Sequence, residues 1–499
     1  MTGAGIRDDT ARAVEGIVNA PLLARLAELQ PESDWRYMSG EIGWGNLFAD
    51  AFKNEARYCA DRKAWYAYDG GRWATDPGGL AVAELCKSLA DALHVYLLRV
   101  PDTERARFAK GWQSWQRRAT RETVLKDAAS VYPLCASELD GGPLLLNVQN
   151  GTLNLETLQL QPHDPGDLIT KLAPVDYDPA ARLERFDRFV SEVTAGRADL
   201  ARCLQTSLGY ALSGSTELEK LFIWHGATTR NGKSTLAETV LSVLGDYGSI
   251  LSPEAMGTGR NTHGNLAATP DIAELQGVRF VNVSEPAREL VLNAAKLKAW
   301  TGGDTVSARR LHENLVSFKP SFKFFMSTNS LPTTNDRSLF DSGRVVVVPF
   351  DVHFAESEQD KTLKQQFSTP EARSAILNWL LEGWRTYRAE GLALPSQVER
   401  ATSEYAAEQD VARQFIGECL EPDPLGEVRS SELLLRFNAW AEGNGYPKES
   451  HRTFKPMLER AGVVTKRARP RSGGQLATLI CGYAVNMNIA SGLFREGGS

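Results

Sequence analysis

The sequence predicts an α/β chain built on a phosphate-loop core, with a mixed helical and β-hairpin region before it and three helices plus a hairpin after it. Three observations carry that fold class. Residues 221–245, LFIWHGATTRNGKSTLAETVLSVLG, run from an apolar strand pattern through a polar, glycine-bearing loop into a helical pattern closed by Gly245. That order is the context a phosphate-binding loop requires. Two further apolar runs, VRFVNVS (278–284) and SFKFFMST (321–328), lead into Glu285 and Asn329. Finally, Lys448–Arg471 holds eight Lys/Arg against two Glu in a chain of formal net charge −6, so positive charge is concentrated there.

Length and composition set the outer limits. At 499 residues the chain has room for two to four domains. The expected boundaries are an accessory region over 1–190, a core with flanking helices over 191–400, a compact unit over 411–486 and a loose tail over 487–499. With a pI of about 5.8, any nucleic-acid contact must come from local patches. The six cysteines are scattered with no CxxC pair, which excludes a zinc ribbon and a disulfide scaffold and points to a reducing cytoplasm. No apolar run approaches the ~18 residues of a membrane span, and MTGAGIRDDTARAVEG lacks the apolar core of a signal peptide.

In chain order, residues 1–30 read as a loosely attached helix. WYAYDGGRW (65–73) reads as an aromatic hairpin around Asp69-Gly70-Gly71, 80–135 as helical, and LLLNVQNGTLNLETLQLQPH (144–163) as short strands around Asn150-Gly151. Residues 183–219 are again helical and lead into the core.

In the loop, Gly226, Ala227, Thr228, Thr229, Arg230, Asn231, Gly232, Lys233, Ser234 and Thr235 are the candidate nucleotide contacts. Backbone N–H groups and the helix N-terminus face phosphates. Lys233 reaches the β/γ-phosphates and the Ser234 hydroxyl meets Mg²⁺. Five residues separate Gly226 from Gly232, one more than the strict pattern. Glu285 ends a core strand where a phosphate-loop ATPase places its hydrolytic base. Ser284 stands where many such enzymes have a second acid, so metal would rest on Ser234, Glu285, phosphate oxygens and water. Asn329 is placed to position the attacking water.

TVSARRLH (305–312) alternates polar and apolar residues and HENLVSF (312–318) reads as a loop or hairpin tip, bringing Arg309, Arg310, His312 and Lys319 close together, a grouping that suits a sugar–phosphate backbone. Arg344 precedes the apolar strand 345–350, where it either pairs with a structural acid or reaches a neighbouring subunit's γ-phosphate. Residues 355–400 are helical and 396–410 a connecting helix. In 411–486, Ser430–Ser431 and Ser450 are expected helix caps. The 450–461 helix buries Phe454, Met457, Leu458 and Ala461, and 463–485 forms a hairpin. Three helices plus a hairpin is a winged-helix pattern, with Arg452, Lys455, Lys466, Arg467, Arg469 and Arg471 as its candidate DNA contacts.

Taken in order, GATTRNGKST, FVNVSEP, KAWTGGDTVSARRL, FMSTNSLP and SGRVVVVPF resemble the superfamily 3 helicase core. The resemblance is to its phage and plasmid primase-associated branch, related to the poxvirus primase–helicase, and it spans roughly 40–485. It implies an AAA+-like ATPase core using ATP and Mg²⁺, with Glu285 as the Walker B acid, Asn329 as sensor 1 and Arg344 as an arginine finger in trans. The segment from Lys298 through Arg310, with the following hairpin, becomes the pore loop gripping single-stranded DNA. A hexameric ring moving on one strand of forked DNA follows, in a bacterial host cell and alongside a separate primase or polymerase. No primase segment is expected in this chain, which shows no clustered acidic pair on a strand. Two other readings stay open: a replication initiator or loader using ATP as an assembly switch, and a DNA-binding protein with an idle nucleotide site.

Overall fold

The computed structural model describes residues 20–38, 40–258, 270–286, 290–309, 315–334, 336–444, 446, 448–471 and 475–486. The chain divides into two units, Met1–Pro332 with Gly343–Val398, and Thr333–Ser342 with Glu399–Ser499.

The first unit opens with α1 (Ala20–Leu29), α2 (Glu41–Ala51), an antiparallel meander of β1 (Ala56–Cys59), β2 (Ala64–Tyr68) and β3 (Trp73–Asp76), then α3 (Leu80–Tyr96), α4 (Asp102–Trp112) and α5 (Arg118–Ala128). The β2–β3 turn forms because Asp69 Oδ1 accepts the backbone N–H groups of Gly71 and Arg72 at 2.9 and 2.8 Å, an Asx turn. Far from being loosely attached, α1 buries Leu22, Leu23 and Leu26 in the core formed with α2 to α5, because its apolar residues recur at helical spacing. The part of the 1–30 reading before residue 20 lies outside the described residues.

A second meander follows, β4 (Leu145–Val148), β5 (Gly151–Asn154) and β6 (Gln159–Gln161), then α6 (Glu184–Val193) and α7 (Ala198–Tyr210). The centre of the unit is a five-stranded sheet. Its strands are β7 (Leu221–His225), which runs into α8 (Lys233–Leu244), β8 (Gly248–Leu251), β9 (Phe280–Val283), β12 (Lys323–Thr328) and β13 (Val345–Pro349), in the order β13-β7-β12-β9-β8. Every pairing in it is parallel, and its central strands are buried along nearly their whole length, as expected of a sheet covered on both faces. Phe222 and Phe325 stack at 4.9 Å across β7 and β12. Between β9 and β12 lie α9 (Ala294–Thr301) and an antiparallel hairpin of β10 (Val306–Arg309) and β11 (Leu315–Phe318). After β13, α10 (Pro370–Glu390) crosses α7 at Gly209 and Gly383. A Cβ on Gly383 would stand 2.0 Å from the Gln205 carbonyl, so only glycine lets these helices approach.

The second unit holds α11 (Ser396–Glu408), α12 (Val411–Cys419), β14 (Leu420–Arg429), α13 (Ser430–Gly443), α14 (His451–Arg460), β15 (Val464–Ala468) and β16 (Ala477–Val485). Phe415, Phe437, Trp440, Phe454, Leu458 and Ile480 form its core. The helices and hairpin expected over 411–486 are present, with two corrections. Leu420–Arg429 is a strand, pairing with β16 in a β14-β16-β15 sheet. Ser430 and Ser431 do not cap α13: the helix begins at Ser430 and its N-cap, Arg429, makes no side-chain cap bond. Ser450 does cap α14, in a reciprocal arrangement with Thr453. Phe454 and Leu458 are buried there, whereas Met457 and Ala461 are only half-buried. Among the described residues no helix is long and apolar enough to cross a membrane.

Candidate functional site

The loops leaving β7, β9 and β12 meet at the carboxyl edge of the parallel sheet, where α/β folds bind ligands. Lys233 is the first residue of α8 and is only 5% exposed. Its Nζ donates to Asn329 Oδ1 at 2.8 Å. The Asn329 Nδ2 donates in turn to Glu285 Oε1 at 2.8 Å, and the Asn329 backbone N–H reaches the same oxygen at 3.3 Å. Three residues separated by 96 positions of chain thus form one hydrogen-bonded row, with Glu285 at its exposed end. Burial pulls the Lys233 ammonium down to about 8, and the charge of Glu285 only partly opposes that shift. A buried cation facing a neutral amide is stabilised by any anion brought to it.

The loop geometry explains its sequence. A Cβ on Gly226 would stand 2.2 Å from Asn231 Nδ2, 2.5 Å from the Phe350 carbonyl and 3.1 Å from Lys233 Nζ. The position therefore needs glycine although it falls outside the strict register. Gly232 has φ +87°, and a Cβ there would meet Val193 of α6 at 2.4 Å. Asn231 is buried, and its amide donates to the Thr228 carbonyl at 2.7 Å. Ala227, Thr228, Thr229 and Arg230 are exposed, as is Ser234, while Thr235 is half-buried.

The stretch after β13 braces the loop from outside. The Phe354 N–H donates to the Arg230 carbonyl at 3.0 Å, and His353 Nδ1 lies 2.8 Å from the Thr229 carbonyl. Sequence reading did not single out Phe350, His353 or Phe354. No local signal marks a contact made across some 120 residues.

Arg344 is not part of this cluster. It precedes β13 at the amino edge of the sheet, where its carbonyl accepts the Leu221 N–H at 2.7 Å. A five-residue strand spans about 16 Å, so Arg344 cannot serve its own chain's loop. Its guanidinium holds Glu219 Oε2 and Thr301 Oγ1, each at 2.7 Å. The structural-acid alternative is thereby realised in this chain.

Two other cations lie buried at the same edge. Arg279 donates to the carbonyls of Leu212, Gly142 and Leu145 and packs 4.5 Å from the Tyr247 ring centre. Lys323 donates to the carbonyls of Ser213, Ser215 and Ser321, and burial holds its ammonium well below its usual range.

Val306–Arg309 and Leu315–Phe318 form a hairpin with Arg309 opposite Leu315, so 315–318 is a strand rather than part of the loop or tip expected over 312–318. Arg310 and His312 lie outside the described residues. Lys319 is exposed just beyond β11, and Lys298 is half-buried on α9.

In the second unit the basic cluster is partly neutralised. Glu427 of β14 pairs with Lys466 at 2.6 Å and with Arg471 at 3.5 Å, Glu459 pairs with Lys455 at 3.5 Å, and Glu442 with Lys448 at 3.0 Å. Arg452, Arg467 and Arg469 have no carboxylate partner among the described residues. Described residues also contain no group of three or more His, Cys, Asp or Glu able to hold a metal.

Known proteins resemble this chain on both sides of the site and across it. Residues 45–195 match the family described as D5 N terminal like, and 224–341 match a family of unknown function (DUF5906). "Putative helicase L207/L206" of Acanthamoeba polyphaga mimivirus is 28% identical over 319 residues, covering 60% of this chain and 33% of the relative. "Putative helicase 022R" of Frog virus 3 is 24% identical over 531 residues, covering 81% and 54%. "Putative primase C962R" of African swine fever virus is 24% identical over 331 residues, covering 61% and 34%. The chain thus spans a third to about half the length of these relatives. Among solved structures, the apo C-terminal region of NrS-1 aligns with a TM-score of 0.47 at 10% identity, covering 89% of this chain and 99% of that one. On the first matched segment and these relatives, the chain resembles D5-like viral proteins named putative helicases and a putative primase.

Proposed function

We propose that the chain is an ATP-dependent DNA helicase of superfamily 3, acting as a ring on single-stranded DNA during viral or mobile-element replication. The observation that carries this reading is the Lys233–Asn329–Glu285 row at the carboxyl edge of the sheet. Relatives named as helicases and a primase support it. In this reading the core is an AAA+-like ATPase and the second unit a winged-helix DNA-binding domain.

The residues present suit a nucleotide triphosphate with Mg²⁺. The loop offers backbone N–H groups and a helix N-terminus, Lys233 is a buried cation lacking a carboxylate contact, and a Cβ would fill the floor of the cradle at Gly226. Ser234 and Glu285 are the side chains that would hold the ion, which supplies neutralisation of phosphate charge when bound. Glu285 takes the proton of the water attacking the γ-phosphate in line. Asn329 holds that carboxylate in place, and Lys233 stabilises charge developing on the phosphate oxygens. Arg344, at the opposite edge, acts on a neighbour's nucleotide once it exchanges Glu219 for phosphate. Lys298, Arg309, Arg310, His312 and Lys319 are the cations assigned to the single strand, and Arg452, Arg467 and Arg469 those assigned to duplex phosphates.

Unwinding of a forked duplex with ATP and Mg²⁺ tests this, wild type beside Lys233→Ala. Strand separation by the wild type alone is expected. DNA-stimulated hydrolysis without separation would instead make the protein an initiator or loader, and no hydrolysis by either would leave it a DNA-binding protein with an idle site.

A further inference from the structure

A short stretch between two core strands belongs to the other unit. The chain leaves the first unit after Pro332, just beyond Asn329, and rejoins it at Gly343, just before Arg344. The intervening Thr333–Ser342 is held by the end of α11 and the start of α12, all within the second unit. The Thr334 N–H donates to Gln409 Oε1 at 2.9 Å. Leu339 and Tyr405 are buried, and the Phe340 ring meets the Tyr405 ring edge-on at 4.9 Å. Arg337 donates to Asp410 Oδ2, which also pairs with Arg413 at 3.2 Å.

Asp410 makes this hold firm. It is 5% exposed, and its Oδ1 caps α12 by accepting the Arg413 N–H at 3.1 Å. A carboxylate so deeply buried depends on its cations, whereas exposed ion pairs contribute little. From Asp410 the packing continues to the helix that carries Arg452. α12 sets Phe415 against Phe437 and Trp440 of α13 and Phe454 of α14, with ring centres 5.2, 5.5 and 6.5 Å apart. Interiors packed in this way transmit strain instead of absorbing it. The second unit thus has a handle, through Arg337 and the single helical turn Ser338–Asp341, on the residue that follows Gly343.

We propose that Arg337 and Asp410 are positioning residues for ATP hydrolysis: with Arg344 in the role given it above, their ion pair lets the second unit set where Arg344 stands. The full chain is assayed for ATP hydrolysis with saturating forked DNA, and for binding of DNA and of a fluorescent ATP analogue. Arg337→Ala should lower kcat about tenfold with KM and both affinities unchanged. Arg337→Lys, which keeps a cation opposite Asp410, should recover most of the loss. Arg337→Ala/Arg344→Ala should be no slower than Arg344→Ala alone, since a residue acting through Arg344 then has nothing left to position. The fold is not at stake, because Asp410 keeps Arg413 and its cap. Additive losses, a raised KM or an unchanged kcat in Arg337→Ala would overturn the proposal. If the wild type hydrolyses no ATP, or Arg344→Ala loses no activity, the helicase reading fails first, and native-state hydrogen exchange without nucleotide decides. Amides 337–342 should open together with 411–460, not with 221–245, and more readily in Arg337→Ala. Opening in step with 221–245 would overturn the second unit's hold on the stretch.

Discussion

At the amino ends of β9 and β12, Arg279 and Lys323 are buried with their donors spent on backbone carbonyls, three for each residue. At the carboxyl edge of the same sheet Lys233 is equally buried, yet its Nζ donates to one amide oxygen. All three side chains lose solvation, and the pKa of each is lowered. They differ in what surrounds the charge. Carbonyls from loops near residues 142, 145 and 213 turn the first two cations into ties between distant segments. The third is left under-satisfied beside the exposed 227–230 loop. A satisfied buried cation is architecture, and an unsatisfied one at an open edge is a place for an anion.

The largest effect that sharpens this comparison concerns Arg344, which belongs to the architectural edge by position but to catalysis by proposal. Arg344→Ala should lower ATP hydrolysis by about 10³-fold while leaving nucleotide binding intact. Mixing it with Lys233→Ala should restore part of the activity, since each mutant supplies what the other lacks at a shared interface. If the mixture stays inactive, Arg344 is only the partner of Glu219 and Thr301.

Stability distinguishes the two kinds of cation more directly. Arg279→Leu leaves three carbonyls without their donor, at about 1–3 kcal/mol each, and should lower the urea unfolding midpoint strongly. Lys233→Met should do the reverse at pH 7, raising stability by on the order of 1–3 kcal/mol, because the folded state no longer holds a charge it disfavours. The sign follows from a folded-state pKa of about 8, below that of an unfolded lysine. The wild-type penalty is complete below pH 8 and disappears as the pH rises toward the unfolded value. Equal destabilisation by both substitutions would break the comparison.

A smaller effect appears in binding. Phosphate favours the ammonium form of Lys233, so nucleotide affinity should be level below pH 8 and fall about tenfold per unit above it. Lys233→Arg should flatten that dependence, measured by titration with a fluorescent ATP analogue. A wild-type affinity that does not change between pH 7 and 9.5 would show that the ammonium does not meet the ligand.

Glu285 and Asn329 were legible because each stands just past an apolar strand, and Lys233 because a strand, a glycine-bearing loop and a helix start precede it in that order. Adjacent parallel strands then bring their carboxyl ends together without further instruction. Residues whose role depends on distant chain were not legible. Gly232 answers to Val193, the loop is braced from Phe350, His353 and Phe354, and Arg279 ties segments more than a hundred residues away. Strand β14 was not legible because Pro422, Pro424 and Gly426 are poor strand residues; the chain accommodates them at a register shift between Pro422 and Glu427. Missing that strand also concealed Glu427, and with it the neutralisation of Lys466 and Arg471.

Nucleotide binding at the carboxyl edge of the sheet is the step on which every proposed role of Lys233, Glu285 and Asn329 depends. Calorimetric titration of the full chain with ATP and Mg²⁺ at pH 7.5, wild type beside Lys233→Ala and Gly226→Val, tests it most directly. Saturable binding by the wild type, lost in both variants while their folds persist, is the predicted result. Unchanged binding in Lys233→Ala, or no binding by the wild type, would contradict it.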